Sequence, residues 1–180
     1  MTRSLKLGGQ IVALAAVAGL LGLLVWRLTH QSKPPKIGGP APNFTARRMD
    51  GAGTFDLASL RGKAVVVNFW ASWCEPCKQE AKALEHAWRQ YRKQGVVFVG
   101  VDYHDVTGDA RRFLEHHGVT YLAVLDGSGR IGDRYGLTGV PETFFVDRRG
   151  RLVGDHILGP ITLQKWADAF QNGVRAALGS

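Results

Sequence analysis

The run Lys63-Ala-Val-Val-Val-Asn-Phe-Trp70 constrains this chain most, because a cysteine pair follows it at what reads as the head of a helix. The run is apolar and β-branched with no polar alternation, as expected of a central strand buried on both faces. Ala71-Ser72-Trp73 turns the chain, and helical spacing then holds from about Cys74 to Gln94. Pro76 fits the first turn, where a missing N–H does no harm, and Gly95 fits the end. Cys77, Ala81, Leu84, Trp88 and Tyr91 fall on one face. Cys77 is therefore expected on the buried side, with Cys74 at an exposed N-terminal tip.

Cys74 and Cys77 are the only two cysteines in the 180 residues. An all-cysteine zinc site needs two more, and a bridge this short removes little unfolded-state entropy. A redox role is the better reading. Disulfide exchange needs an attacking thiolate and a second thiol close enough to release the mixed disulfide. A helix N-terminus favours the Cys74 thiolate, and Cys77 is placed to resolve. Glu80 lies three residues after Cys77 on the same helical face. Partly buried, it would hold a proton for the inner sulfur; otherwise it is a solvated helix carboxylate. Glu75, between the cysteines, opposes thiolate formation and favours a reductant over a strong oxidant. Trp73 either shields the sulfurs and contacts partners or packs at the domain edge.

Downstream, Gly95–Asp102 reads as a second core strand and Tyr121–Leu125 as a third, with a helix near Asp109–His117 between them. After a glycine-rich passage, Thr143–Asp147 and Arg151–His156 form a hairpin around Arg148-Arg149-Gly150. Thr162–Leu178 closes the domain as an amphipathic helix carrying Leu163, Trp166, Phe170 and Val174, and Phe44–Phe55 reads as a small hairpin. Strands alternating with helices and ending in a hairpin and helix indicate an α/β sandwich with a mixed sheet over residues 43–180.

The N-terminal segment is different. No residue from Leu7 to Trp26 is charged, and twenty helical residues rise about 30 Å, the thickness of a bilayer core. The apolar run continues past Ala16-Val17-Ala18 with no polar region around a cleavage site, so an uncleaved signal anchor over residues 1–29 is favoured over a cleaved signal peptide. Residues 30–42, with four prolines and two glycines, read as an extended tether. The net charge of +8 follows the same division: Arg3, Lys6, Arg27, Lys33 and Lys36 carry five charges, and the remainder nets about +3. A nucleic-acid-binding face is not supported. The flanking charges balance, so they leave the orientation open.

The segment Val65-Val-Val-Asn-Phe-Trp-Ala-Ser-Trp-Cys-Glu-Pro-Cys-Lys-Gln-Glu80 resembles the active-site strand and helix of thioredoxin-like proteins, and Gly139-Val-Pro-Glu-Thr-Phe-Phe-Val-Asp147 resembles the segment holding their cis-proline. From about Pro40 to Leu178 the chain is similar to the membrane-anchored TlpA, ResA and DsbE/CcmG group. The Pro-Glu-Thr-Phe wording is nearest DsbE/CcmG, and Cys-Glu-Pro-Cys nearest ResA. The resemblance implies a thioredoxin-like three-layer sandwich with a mixed central sheet behind an N-terminal transmembrane helix. It implies that Pro141 is the cis-proline beside Cys74 and that the Val140 backbone pairs with an extended substrate. Trp73, Glu75 and Pro76 would then face that substrate. Glu142, where the group carries an acid, becomes a second candidate for proton handling, or a plain loop carboxylate. Asn68 departs from ordinary thioredoxin, which has a buried acid there.

The implied activity is reduction of disulfides in exported proteins on the extracytoplasmic face, with apocytochrome c as substrate and a membrane dithiol protein as electron donor. No cofactor beyond the Cys74–Cys77 couple and no metal is implied. A TlpA-type reductase serving copper-site assembly is the same-class alternative. A membrane-tethered binding module with a structural bridge is the alternative of another class.

Other signals carry less. Gly127-Ser-Gly-Arg-Ile-Gly132 matches a dinucleotide fingerprint, but Gly136, Gly139 and Pro141 leave no room for its crossover helix. His116-His117 lacks ligand spacing. Val67 and Ala71 stand where a peroxide reductase would need proline and threonine. Asn43-Phe-Thr45 is a bare sequon.

Overall fold

A computed structural model describes residues 2–29 and 34–179. The chain divides between Lys33 and Pro34 into two units. The first is a helix, α1, Thr2–Thr29. Its described side chains, residues 13–26, are all exposed and mostly apolar. Among the described residues no helix is long and apolar enough to cross a membrane. The side chains of Arg3, Lys6 and Arg27, and the tether residues His30–Lys33, lie outside the described residues.

The second unit opens with β1, Thr45–Arg48, and β2, Thr54–Asp56, followed by a helical turn at Leu57–Leu60. Then come β3, Ala64–Trp70; α2, Glu75–Tyr91; β4, Val96–Tyr103; and α3, Thr107–His117. They are followed by β5, Leu122–Asp126; α4, Arg130–Tyr135; β6, Glu142–Val146; β7, Leu152–Leu158; and α5, Gln164–Leu178. The seven strands form one sheet in the order β2-β1-β5-β4-β3-β6-β7. β3, β4 and β5 run parallel, and the remaining pairs are antiparallel. This is the mixed sheet the sequence implied.

All seven residues of β3 are buried, so alternate residues feed two different cores. Val65, Val67 and Phe69 pack with Phe44, Phe144 and Tyr135 on the face that carries α4. Ala64 and Val66 pack with Leu84 of α2 and Phe170 of α5, while Trp70 packs with Cys77, Ala81 and Phe113. Hence α2, α3 and α5 share one face and α4 lies on the other. Gly100 in β4 permits the Trp70 indole to lie across the strand, because a Cβ there would meet Trp70 Nε1 at 2.8 Å. The ring stacks on Phe113 at 4.5 Å.

Three details differ from the sequence reading. The end of the expected tether belongs to the fold: Gly38 N donates to Leu152 O, Leu152 N to Gly39 O and Ala41 N to Gly150 O. This backbone covers the start of edge strand β7, whose free groups would otherwise face water. The glycine-rich passage contains α4, whose first amides, Ile131 N and Gly132 N, both donate to Asp126 Oδ2 at 2.9 Å. A pyrophosphate would need that same position. Leu163, expected on the core face of the last helix, is exposed and precedes α5 as its cap residue.

Candidate active site

The pair sits where β3 ends and α2 begins. Helix α2 starts at Glu75, with Cys74 as its extended cap residue and Pro76 in its first turn. Cys74 Sγ accepts the Cys77 backbone N–H at 3.2 Å, so the sulfur takes the place of a capping side-chain oxygen. That amide and the helix dipole favour negative charge on Cys74 when the bond opens. In this structure Cys74 and Cys77 are joined as a disulfide. Glu75 forms an exposed ion pair with Lys78 at 2.9 Å, which offsets part of its charge next to the sulfur.

Cys74 is not the exposed tip that helical position alone suggested. It is 4% accessible and Cys77 1%, so what remains open belongs mainly to Cys74. The cover is tertiary. Val140 O lies 3.5 Å from Cys74 Sγ, and the Val140–Pro141 peptide is cis. The resemblance implied a cis-proline beside Cys74 at this position, whereas helical spacing alone gave no sign of it. Trp73 is 58% exposed beside the pair, and its Nε1 donates to His104 O at 3.2 Å. The turn before it is tied to the loop after β4. Ser72 donates its N–H and its hydroxyl to the two oxygens of Asp105.

The two candidate acids lie on opposite faces of the sheet. Glu80 is 1% accessible on the α2 face; Asn68 Nδ2 donates to its Oε1 and Ile161 N to its Oε2, both at 2.9 Å. Burial pushes its carboxyl up to about 7, with the Ile161 amide and the Asn68 side chain pulling the other way. One helical turn behind Cys77, it can take or give a proton near neutral pH. Asn68 also donates to Thr143 Oγ1 at 3.1 Å. The residue that replaces thioredoxin's buried acid thus holds one in place from α2.

Glu142 pairs with Phe69 in the β3–β6 register, which turns it to the α4 face. Its Oε1 accepts Thr138 N at 2.9 Å, Thr138 Oγ1 at 2.6 Å and Gly139 N at 3.0 Å, and its Oε2 lies 2.8 Å from His156 Nε2. Burial raises its carboxyl, but the bonds to His156 and Thr138 outweigh that and leave it below the ordinary value. The geometry makes Glu142 a brace for the loop that carries Val140 and Pro141. His156, Asp105 and Asp102 had no part in the sequence reading. Asp102 alone left a signal there, as a charge ending an apolar strand. Among the described residues no group of side chains could hold a metal ion.

A helix-capping sulfur, a shielded second sulfur, a buried acid behind them and a peptide loop over them can exchange thiols for disulfides. Fold and site define a thiol–disulfide oxidoreductase of thioredoxin-like fold. Residues 37–154 match the AhpC/TSA family, and the chain belongs to it. It is 37% identical over 133 residues to the thiol:disulfide interchange protein DsbE of Pseudomonas fluorescens biotype C, covering 73% of this chain and 72% of that one. To the thiol-disulfide oxidoreductase ResA of Bacillus subtilis (strain 168) it is 34% identical over 116 residues, 64% of each. A crystal structure of a putative DsbE from Chlorobium tepidum superposes with a TM-score of 0.73 at 29% identity, covering 81% of this chain and 99% of that one.

Proposed function

We propose that the protein is a membrane-tethered reductant of disulfides in exported proteins, with apocytochrome c as its substrate. The observation that carries the exchange chemistry is Cys74 Sγ at a helix N-terminus, 3.5 Å from the Val140 carbonyl, with Glu80 behind Cys77. In the reduced enzyme the Cys74 thiolate attacks one sulfur of the substrate disulfide, forming a mixed disulfide and releasing a substrate thiolate. Cys77, giving its proton to Glu80, attacks Cys74 Sγ and releases the second thiolate. The substrate gains two electrons, and Cys74–Cys77 is left oxidised as seen here. A membrane dithiol protein then returns two electrons and restores the pair.

Support for the tether is the uncharged Leu7–Trp26 run on the helix α1. Support for a reductant is Glu75 beside the attacking sulfur, and support for the substrate is the likeness to the DsbE and ResA proteins. Replacing Cys77 with serine stalls the mixed disulfide on Cys74. Cytochrome c precursors are expected among the captured proteins when the variant is expressed in cells. A capture set of other exported thiol proteins overturns the substrate assignment, and a reporter fused after Ser180 that reads cytoplasmic overturns the placement outside.

A further inference from the structure

Asp102 ends the apolar strand β4 with no accessible surface. Val99 and Val101 face the α4 core, so alternation turns Asp102 to the face of α2 and α3. The register sets it beside Trp70, the last residue of β3 before the turn to Cys74. Among the described residues neither of its carboxylate oxygens has a hydrogen-bond partner. An isolated buried carboxylate is too costly to stay ionised.

The charged groups acting on it, Asp105 and Asp126, are both acidic. From α2 and α3 come the apolar Ala81, Ala110 and Phe113, while Lys78 and Arg112 are held in ion pairs with Glu75 and Asp109 at the exterior. Asp105, three residues further on, acts on it both by its charge and through a side-chain hydrogen bond, and two carboxylates bond only if one carries a proton. Asp105 has room for it. Its Oδ1 accepts Ser72 Oγ at 2.9 Å and Val106 N at 2.7 Å, and its Oδ2 accepts Ser72 N, which leaves one Oδ2 lone pair.

We propose that Asp102 is a neutral carboxylic acid donating its proton to Asp105, and that this shared proton holds the Ser72–Trp73 turn where Cys74 reacts. Asp102 is then a positioning residue, acting through Asp105 and the Ser72 amide. Burial first, then Asp105, pushes its carboxyl up to about 8. Above that pH the two carboxylates repel, and the turn loses its fixed anchor. The proton is separate from that of Glu80, whose partners are Asn68 and Ile161.

The proposal rests on the exchange chemistry of the pair, but its first test does not. Infrared spectra of the oxidised full-length protein should show a protonated carboxyl band that titrates near pH 8 and is missing from Asp102→Asn. A native spectrum unaltered by that substitution overturns the proposal, whether or not the cysteines are active. The second test follows tryptophan fluorescence as the reduced protein meets oxidised dithiothreitol across pH. Native protein should show a break near pH 8 that Asp102→Asn, whose amide still donates to Asp105, removes. Asp102→Leu should be slower by about tenfold at every pH, as expected of a lost buried hydrogen bond. An unshifted break in Asp102→Asn overturns the proposal, and the infrared result on native protein decides the matter if Asp102→Leu does not fold.

Discussion

Glu80 and Glu142 are buried alike, at 1% and 2% accessible, yet one carboxyl is raised to about 7 and the other is lowered. In both, burial is the largest influence and raises the carboxyl. Glu80 receives one amide and one side-chain bond, too little to offset it. Glu142 receives two amides, a hydroxyl and the His156 ring. Burial alone therefore does not set proton affinity; the number of donors and a nearby ring nitrogen decide it. The face of the sheet then divides the work. The acid left short of donors lies under α2, and the saturated one anchors the loop over the sulfurs.

The largest effect that would sharpen this contrast is on stability. Glu142→Ala leaves the Thr138 and Gly139 donors and His156 without their acceptor, and we expect a loss of about 4 kcal/mol in urea unfolding. A loss under about 1 kcal/mol would break the comparison.

The next is a difference of sign with pH. Glu80 stays protonated in the folded chain up to about 7, whereas the unfolded chain ionises it near 4.5. Its contribution is full below 4.5 and is lost as pH rises to about 7, an interval equivalent to about 3 kcal/mol. Glu142 runs the other way, its contribution present above the unfolded value and lost as pH falls through its lowered one. Unfolding free energies measured from about pH 2 to 8 should therefore lose a downward slope above the ordinary carboxylate range in Glu80→Gln and an upward one below it in Glu142→Gln.

A smaller effect, about 2 kcal/mol in activation free energy, is expected on the reaction. Glu80→Gln should slow resolution of the mixed disulfide by ten- to a hundredfold near pH 7 and flatten its pH profile, read by quenched flow. An unchanged profile would show that Glu80 holds the fold without serving the sulfur. Smallest of all, His156→Gln keeps a donor toward Glu142 and should cost about 1 kcal/mol. A cost equal to that of Glu142→Ala would assign the loop to the ring.

Much of the scaffold was readable along the chain. The strand from Lys63 to Trp70, the helix after it and the placement of Cys77 inside follow from residues within a few positions of one another. Local patterning also gave the second and third strands and the closing helix, with ends off by one or two residues where caps decide. Glu80 was legible for the same reason: three residues on a helix fix its side relative to Cys77. The short helix α4 was missed because six residues between glycines are too few to show a period.

The sequence by itself determined the order of the strands and longer helices, the cysteine pair at the strand–helix junction and the carboxyl just behind it, because these depend on neighbours along the backbone. Only the tertiary structure decided which face Glu142 takes, since every residue of β6 is buried and no polar alternation marks its sides. It also decided that the Val140 carbonyl lies against Cys74 and that Asp102 is buried beside Trp70. Register between strands sets such meetings, and a shift of one residue would reverse each of them.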